Sequence, residues 1–344
     1  MQSRKTKKLI IANSLLLTFL AVGFVYAWFA ANYRSSVDGD RVEVIADSAL
    51  EISFTGEDGT WKNYLNLSDF ITFSELEFKD ITGSGDGTFF RPTLSQFDGY
   101  AQVDTDASLT QLDANSVNKD YIKFDLYMRS TDKLNVYLGD GSQVQPLAAD
   151  GTTNVKLIGP YANATEQDTY HKSSYGNFSK DIVAGAVRVS SVDSTSSHLF
   201  TWIPRPNIYL DLPTNQAFPE NIKTLLTTTA SAGSTYANGS PYDHTYYAST
   251  DSTTTTVLPT DKTVTGDIVK NAEGTGSFDA NKAKLKLAAL TVPKGNNYYQ
   301  EKVTIYIWLE GCDNEARRAF VGGMFKVSLG LTAEDYIPPE PVTP

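Results

Sequence analysis

Apolar residues at every second position, in segment after segment, restrict this chain to half-buried β-strands. Ile122, Phe124, Leu126 and Met128 alternate with Tyr121, Lys123, Asp125, Tyr127 and Arg129. Leu134, Val136 and Leu138 alternate with Asn135 and Tyr137, ahead of a Gly139-Asp140-Gly141 turn. Val303, Ile305, Ile307 and Leu309 alternate with Thr304, Tyr306 and Trp308, and Phe325, Val327, Leu329 and Leu331 with Lys326, Ser328 and Gly330. Val183, Val187 and Val189 share one parity around Gly185. A period of two sends successive side chains to opposite faces of a sheet, so each segment offers one apolar face. Phe124, Leu126, Ile305, Ile307, Val327 and Leu329 are thereby assigned to the core, and Thr304 to the opposite face. In 41–54 the even positions are apolar with few exceptions, which predicts one long strand or two short ones before the Gly56-Glu57-Asp58-Gly59 turn. Many such strands parted by turn residues predict an all-β fold, an antiparallel jelly-roll-like β-sandwich with long loop insertions.

Helical signals are few. Asp313 to Phe320 predicts a short helix capped by Asp313 and ended by Gly322-Gly323, and 221–227 a further turn. Thr, Ser, Gly and Asp dominate 227–276, with Thr253 to Thr256 consecutive, which predicts a surface insertion within the domain. The sandwich is expected over 28–337, and 338–344 is an extended Pro-rich tail.

The first residues follow a different pattern. Arg4, Lys5, Lys7 and Lys8 precede an apolar run from Leu9 to Ala31, interrupted by Asn13, Ser14 and Thr18. Basic, then apolar, then small residues is the layout of a secretory signal peptide, and the cations stay on the cytoplasmic side. Val25 and Ala27 are small enough for the −3 and −1 pockets of a signal peptidase. The expected cut therefore falls between Ala27 and Trp28, with Ala30 or Ala31 as the alternative, and 1–27 is the signal segment. The run is also long enough to stay uncleaved as a transmembrane helix. Either way, membrane contact is expected only through 1–31, and the rest is secreted to the cell surface or extracellular matrix.

Charge and cysteine narrow the function classes. The net charge is −11, and losing 1–27 removes those four cations and no anion, which leaves −15. Such a charge opposes binding to nucleic acid or anionic lipid. Cys312 is the single cysteine, so no intrachain disulfide or thiolate metal cluster can form. His171, His198 and His244 share no ligand spacing, and no Gly-x-Ser-x-Gly elbow or phosphate-cradling loop occurs. Gly83-Ser84-Gly85-Asp86-Gly87 is a turn. The pairs Asp38/Asp40 and Asp104/Asp106 carry oxygen ligands suited to Ca²⁺ but match no EF-hand or RTX loop. No catalytic residue, metal site or cofactor is expected, Ca²⁺ being the one ion these pairs would suit. Tyr242, Tyr246 and Tyr247, with Trp202 and Tyr209, would make a sugar-stacking platform only if the fold gathered them; cross-strand aromatic pairs are the plainer reading. The sequons at Asn66, Asn163, Asn177 and Asn238 would usually mean nothing if the source were a bacterium, and Leu258-Pro259-Thr260-Asp261-Lys262 departs from a sortase motif at its last position.

The stretch Gly23-Phe24-Val25-Tyr26-Ala27-Trp28-Phe29-Ala30-Ala31-Asn32 resembles the signal peptides of the TasA/camelysin family, with Trp28-Phe29 after Ala27 its most specific part. Tyr121 to Ser130, Ala184 to Val189 and Ile307 to Asp313 look like segments of clostridial-type proteins bearing this signal class. The stretches that carry the resemblance make up about a tenth of the chain. It implies a Gram-positive exporter, processing by a SipW-type signal peptidase, a jelly-roll-like sandwich and a place in the surface or biofilm matrix, where relatives form fibres. It supplies no catalytic residues. The camelysin name implies a protease, yet no His-Glu-x-x-His or other catalytic arrangement is present.

These observations together predict a non-enzymatic structural protein that assembles with itself. Sheet edges carry unpaired N–H and C=O groups that another copy's strand can satisfy. Relatives use the segment freed by signal cleavage as that strand; here the donor would be Trp28 to Val44, anchored by Trp28, Phe29, Tyr33, Val42 and Val44. The alternative for 41–54 is the first strand of the chain's own domain. The alternative for function is a monomeric surface binding module, or adhesin, for polysaccharide or host protein.

Overall fold

A computed structural model of the chain describes residues 42–71, 76, 78–79, 81–83, 85–92, 94–97, 100–103, 109–146, 180–205, 267–271, 276–295, 297–310 and 323–338. Ala27, Trp28, Phe29, Tyr33, Cys312, the predicted helix at 313–320 and most of 227–276 lie outside the described residues. The chain divides after Arg34, and everything described belongs to the second part.

The strands are β1 (Val42–Ala46), β2 (Glu51–Ser53), β3 (Tyr64–Asn66), β4 (Thr82–Gly83), β5 (Phe89–Pro92), β6 (Leu94–Phe97), β7 (Tyr100–Val103), β8 (Leu109–Gln111) and β9 (Ile122–Ser130). Then come β10 (Leu134–Leu138), β11 (Gln143–Pro146), β12 (Val187–Asp193), β13 (His198–Ile203), β14 (Asp267–Lys270), β15 (Lys286–Leu290), β16 (Pro293–Lys294), β17 (Tyr298–Leu309) and β18 (Phe325–Asp335). A six-stranded sheet runs β15-β10-β18-β1-β3, with β11 also on β18. A seven-stranded sheet runs β14-β13-β12-β17-β9-β2, with β16 also on β17. Smaller sheets are β4-β5-β8 and β6-β7. The helical turns described are 3₁₀, and the fold is an all-β sandwich.

The two large sheets meet through the apolar parity of their strands. Val42, Val44, Val136, Val327 and Leu329 from one sheet and Phe124, Leu126, Val189, Ile305 and Ile307 from the other belong to one buried cluster. All six side chains assigned to the core by alternation are at most 3% exposed. Trp202, fully buried, packs edge-on against Phe278 at 5.8 Å and donates through Nε1 to Asn271 Oδ1 at 2.9 Å. It is a core residue and no part of a surface platform.

The expected antiparallel sandwich is in fact mixed. β1 runs parallel to β18, with Val42 opposite Val327 and Ala46 opposite Leu331, and β13 runs parallel to β14. Parallel neighbours need a long connection; nearly the whole chain separates β1 from β18. The alternating stretch 41–54 becomes two strands in different sheets, because the chain turns at 47–50, where Leu50 N–H donates to the Asp47 carbonyl. Val183, placed by parity with Val187, lies in a 3₁₀ segment before β12. There the Gly185 carbonyl accepts from Arg188 Nη1 at 2.9 Å rather than from a neighbouring strand. The end of the Thr-rich stretch, as β14, joins the second sheet.

β10 and β11 pair with the same side of β18, Leu138 opposite Leu331 and Gln143 opposite Ser328. The turn between them crosses at Gly330, where a Cβ would lie 3.0 Å from Gly141 Cα. Only glycine lets the turn lie that close to the strand.

A further layer covers one end of the second sheet's outer face. Phe89 on β5 stacks with Tyr121 at 4.1 Å and meets Trp308 edge-on at 5.4 Å. Ile81, Val192 and Tyr306 complete this second buried cluster. Asp120, 2% exposed, ties the layer down through Lys79 at 2.9 Å and Arg91 at 2.6 Å. Beside this layer Thr304, expected on the open face, is only 9% exposed and donates to Asp125 Oδ1.

Candidate functional site

Two places combine unusual geometry with residues able to act on something outside the chain. The first is β1. Val42 and Val44 point inward and are fully buried, while Glu43 and Ile45 point outward. Glu43 joins the strand to β18: its Oε1 accepts from Ser328 Oγ at 2.6 Å and pairs with Lys326 Nζ at 2.6 Å. Burial raises the Glu43 carboxyl, but the bonds from Lys326 and Ser328 outweigh it and hold the pKa below its ordinary value. On its other side β1 pairs with β3, a three-residue edge strand, with Ile45 opposite Tyr64. Both side chains are exposed, at 43% and 45%. Of the candidate donor anchors, then, Val42 and Val44 sit in the chain's own first sheet, and Trp28, Phe29 and Tyr33 lie outside the described residues.

The second place is a groove on the outer face of the second sheet, with a cavity volume of about 620 Å³. Its floor comes from the outward parities of β9 and β17, where Lys302 stands opposite Tyr127, Thr304 opposite Asp125 and Tyr306 opposite Lys123. Asp125 is the centre of the floor. It accepts from Thr304 Oγ1 at 2.7 Å and pairs with Lys302 Nζ at 2.9 Å. Burial raises its pKa, yet Thr304 and Lys302 together hold it below the ordinary value, and Asp125 in turn raises Lys302. Asp125 thus stays ionised and accepts hydrogen bonds; it is not a reservoir of protons at neutral pH. Lys123 Nζ lies 5.7 Å from the Tyr306 ring centre and Lys302 Nζ 5.9 Å from that of Tyr127.

The walls are built by local bonding. On one side the β12–β13 turn is fixed by Asp193 Oδ1, which accepts from Thr195 N at 2.9 Å, Thr195 Oγ1 at 2.8 Å and Ser197 N at 2.8 Å. On the other, Ser53 Oγ accepts from Thr55 N at 3.1 Å and Gly56 N at 2.9 Å. Phe54 there stacks on Phe70 at 5.2 Å, leaving Phe70 49% exposed at the rim. Gly56 backs onto the Tyr127 ring, and a Cβ there would lie 2.7 Å from it. Behind the groove, burial and then the neighbouring Tyr306 and Asp120 push the Tyr121 phenol up to about 12, so it stays a neutral packing group.

Sequence reasoning passed over this groove. Its signal lies in the polar parity of two strands already identified: Lys123, Asp125, Tyr127 and Lys302, Thr304, Tyr306 interleave charge with aromatic rings.

Among the described residues no group of three His, Cys, Asp or Glu side chains is placed to hold a metal ion. No described helix is long and apolar enough to cross a membrane. Asp38, Asp40, Asp104 and Asp106 lie outside the described residues, as do Tyr209, Tyr242, Tyr246 and Tyr247. In comparisons with known proteins, no family model, no curated protein and no solved structure matches the chain.

Proposed function

We propose that this is a non-enzymatic exported protein of the cell surface or biofilm matrix that assembles with itself into fibres by donor-strand pairing of its N-terminal segment. The observation that supports the reading is the place of β1. It lies between β18 and the three-residue β3, contributes two fully buried valines, and has one of its two partners, β18, at the far end of the chain. A strand so placed can be exchanged: withdrawn, it leaves a slot between β18 and β3 that the same segment of another copy fits in the same register. In this reading the signal segment 1–27 is removed by a SipW-type peptidase between Ala27 and Trp28. Trp28, Phe29 and Tyr33 then extend the donor strand ahead of Val42 and Val44, and the sandwich is jelly-roll-like. The test is electron microscopy of the purified exported protein, with N-terminal sequencing of the same material. Filaments from chains beginning at Trp28 support the reading. Monomers at all salt concentrations sink it and leave the monomeric surface binding module in its place.

A further inference from the structure

We propose that the groove over β9 and β17 is a binding site for a neutral glycan, with Phe70 as its stacking platform and the Asp125–Lys302–Thr304 cluster as its hydrogen-bonding floor. The inference goes beyond self-assembly and does not depend on it, since β1 and β3 contribute nothing to the groove.

Size comes first. A volume of about 620 Å³ falls inside the range of roughly 300–1,000 Å³ usual for small-ligand sites. The lining then selects the ligand's chemistry. The groove holds Lys123 and Lys302 against Asp86, Asp125 and Asp193, so neither sign dominates. Asp125 is already matched by Lys302. A polyanion would meet three carboxylates, and a cation would have to displace a lysine already in place. An apolar ligand would strand the floor's charged groups without water, which is costly. A polyol suits it: each hydroxyl both donates and accepts, so one ring can bond to a carboxylate, an ammonium and a hydroxyl together. Lys302 and Asp125 are each about one-third exposed, at 35% and 34%, so they remain reachable while paired.

The aromatic groups divide the labour. Gly56 backs onto Tyr127, and Tyr306 is 8% exposed, so both belong to the floor rather than to a stacking face. Phe70 differs: Phe54 supports one face and the ring is 49% exposed at the rim. An apolar ring face beside a plane of mixed donors and acceptors matches the two sides of a pyranose, one lined by C–H groups and the edge by hydroxyls.

The experiment is affinity electrophoresis of the exported protein in gels containing soluble neutral glucans, mannans, galactans or N-acetylhexosamine oligomers, with dextran sulfate as the polyanion. Wild-type protein, Phe70→Ala, Lys302→Met and an Ile45→Ala control on the opposite sheet are compared. Thermal unfolding of each checks that the fold is kept. Retardation by at least one neutral glycan, weakened tenfold or more by both groove variants and unchanged by Ile45→Ala, is the expected result. No retardation by any neutral glycan, retardation only by dextran sulfate, or retardation indifferent to both groove variants overturns the proposal. Filament formation is scored separately on the same preparations, so loss of the assembly reading leaves this outcome untouched.

Discussion

The guanidinium carbon of Arg129 lies 4.2 Å from the ring centre of Trp61. The Tyr298 ring centre is 4.1 Å from the same carbon, and Nε donates to Glu51 Oε2 at 2.7 Å. One planar cation thus joins the loop before β3, the strand β2 and the start of β17 to β9. Replacing it tests plane against charge. Arg129→Lys keeps the charge but loses the plane and is expected to cost about 1 kcal/mol; Arg129→Ala is expected to cost about 2 kcal/mol. Urea unfolding measures both, and equal stability of the lysine variant and wild type would mean that the stacking contributes nothing.

Core and outer layer respond differently to truncation. Ile307, fully buried between the large sheets, is expected to lose about 2–5 kcal/mol on change to Ala. Thr304 faces the other way, but its hydroxyl bonds to Asp125 and it is 9% exposed, so Thr304→Val is expected to cost about 1 kcal/mol. Denaturant midpoints for the two variants check this, and equal losses would contradict the register of β17.

That contrast also marks how far the sequence could be read. Alternation at Phe124, Ile305 and Val327 is a local property, set by the pleat, and it survives folding intact. Thr304, Tyr306 and Trp308 look like an open face because nothing near them in sequence announces a cover. Over Tyr306 and Trp308 the cover comes from Ile81 and Phe89, beside or on strands of two and four residues too short to show a period, and from Tyr121 just ahead of β9. Trp202 misled for a related reason: a ring size and a polar edge say nothing about which partner, here Asn271, will take the N–H. The parallel pairing of β1 was out of reach altogether, since no local pattern encodes a partner at the far end of the chain. The groove's residues were all visible, but their convergence depends on the pairing of β9 with β17.

Acidity should weaken the groove floor. Asp125 has a pKa held below its ordinary 3.8, so its stabilisation is present above that value and is lost as pH falls through the folded-state pKa. Lys302, raised above its ordinary 10.5, contributes below that value and loses its contribution as pH rises past the folded pKa. The pair is therefore intact between about 4 and about 10. Asp125→Asn is expected to lower the melting temperature at pH 7 by roughly 2–4 °C, about 1 kcal/mol for a pair one-third exposed to screening solvent. The gap should close as pH falls through the folded-state pKa of Asp125. Melting curves over a falling pH series decide it; a gap that does not shrink with acidification rules out ionisation as its cause.

Two glycines with left-handed backbones separate strain from collision. Gly59 has φ +83° and open space around a built Cβ, whereas Gly87 has φ +92° and a Cβ there would fall 2.5 Å from the Tyr306 hydroxyl oxygen. Gly59→Ala should cost about 1–2 kcal/mol of backbone strain, and Gly87→Ala distinctly more. Tyr306→Phe introduced into Gly87→Ala should recover part of the difference, measured as a double-mutant cycle. Strict additivity would show that the hydroxyl is not the obstacle.

Deleting Trp28 to Asp40 from the exported protein should abolish filaments, because the anchors Trp28, Phe29 and Tyr33 that extend the donor strand to another copy are removed, while β1 and both sheets remain and keep the monomer folded. Higher salt should not dissolve filaments of the intact form, since main-chain bonds and apolar anchors are indifferent to screening and repulsion between acidic subunits is relieved by it. Filament counts for both forms at low and high salt give the answer, and normal filaments from the shortened form would eliminate the donor segment.

Ser328 donates to Glu43 across 285 positions of chain. A polypeptide made from its amino end at about 5–20 residues per second presents β1 roughly 15–60 s before β18 exists. No rearrangement can hasten that first closure, because the missing partner has not been made. For that interval the first sheet is a seam held open by the calendar of synthesis. Anything that meets β1 then competes with the chain's own last strand in arrival time rather than in affinity.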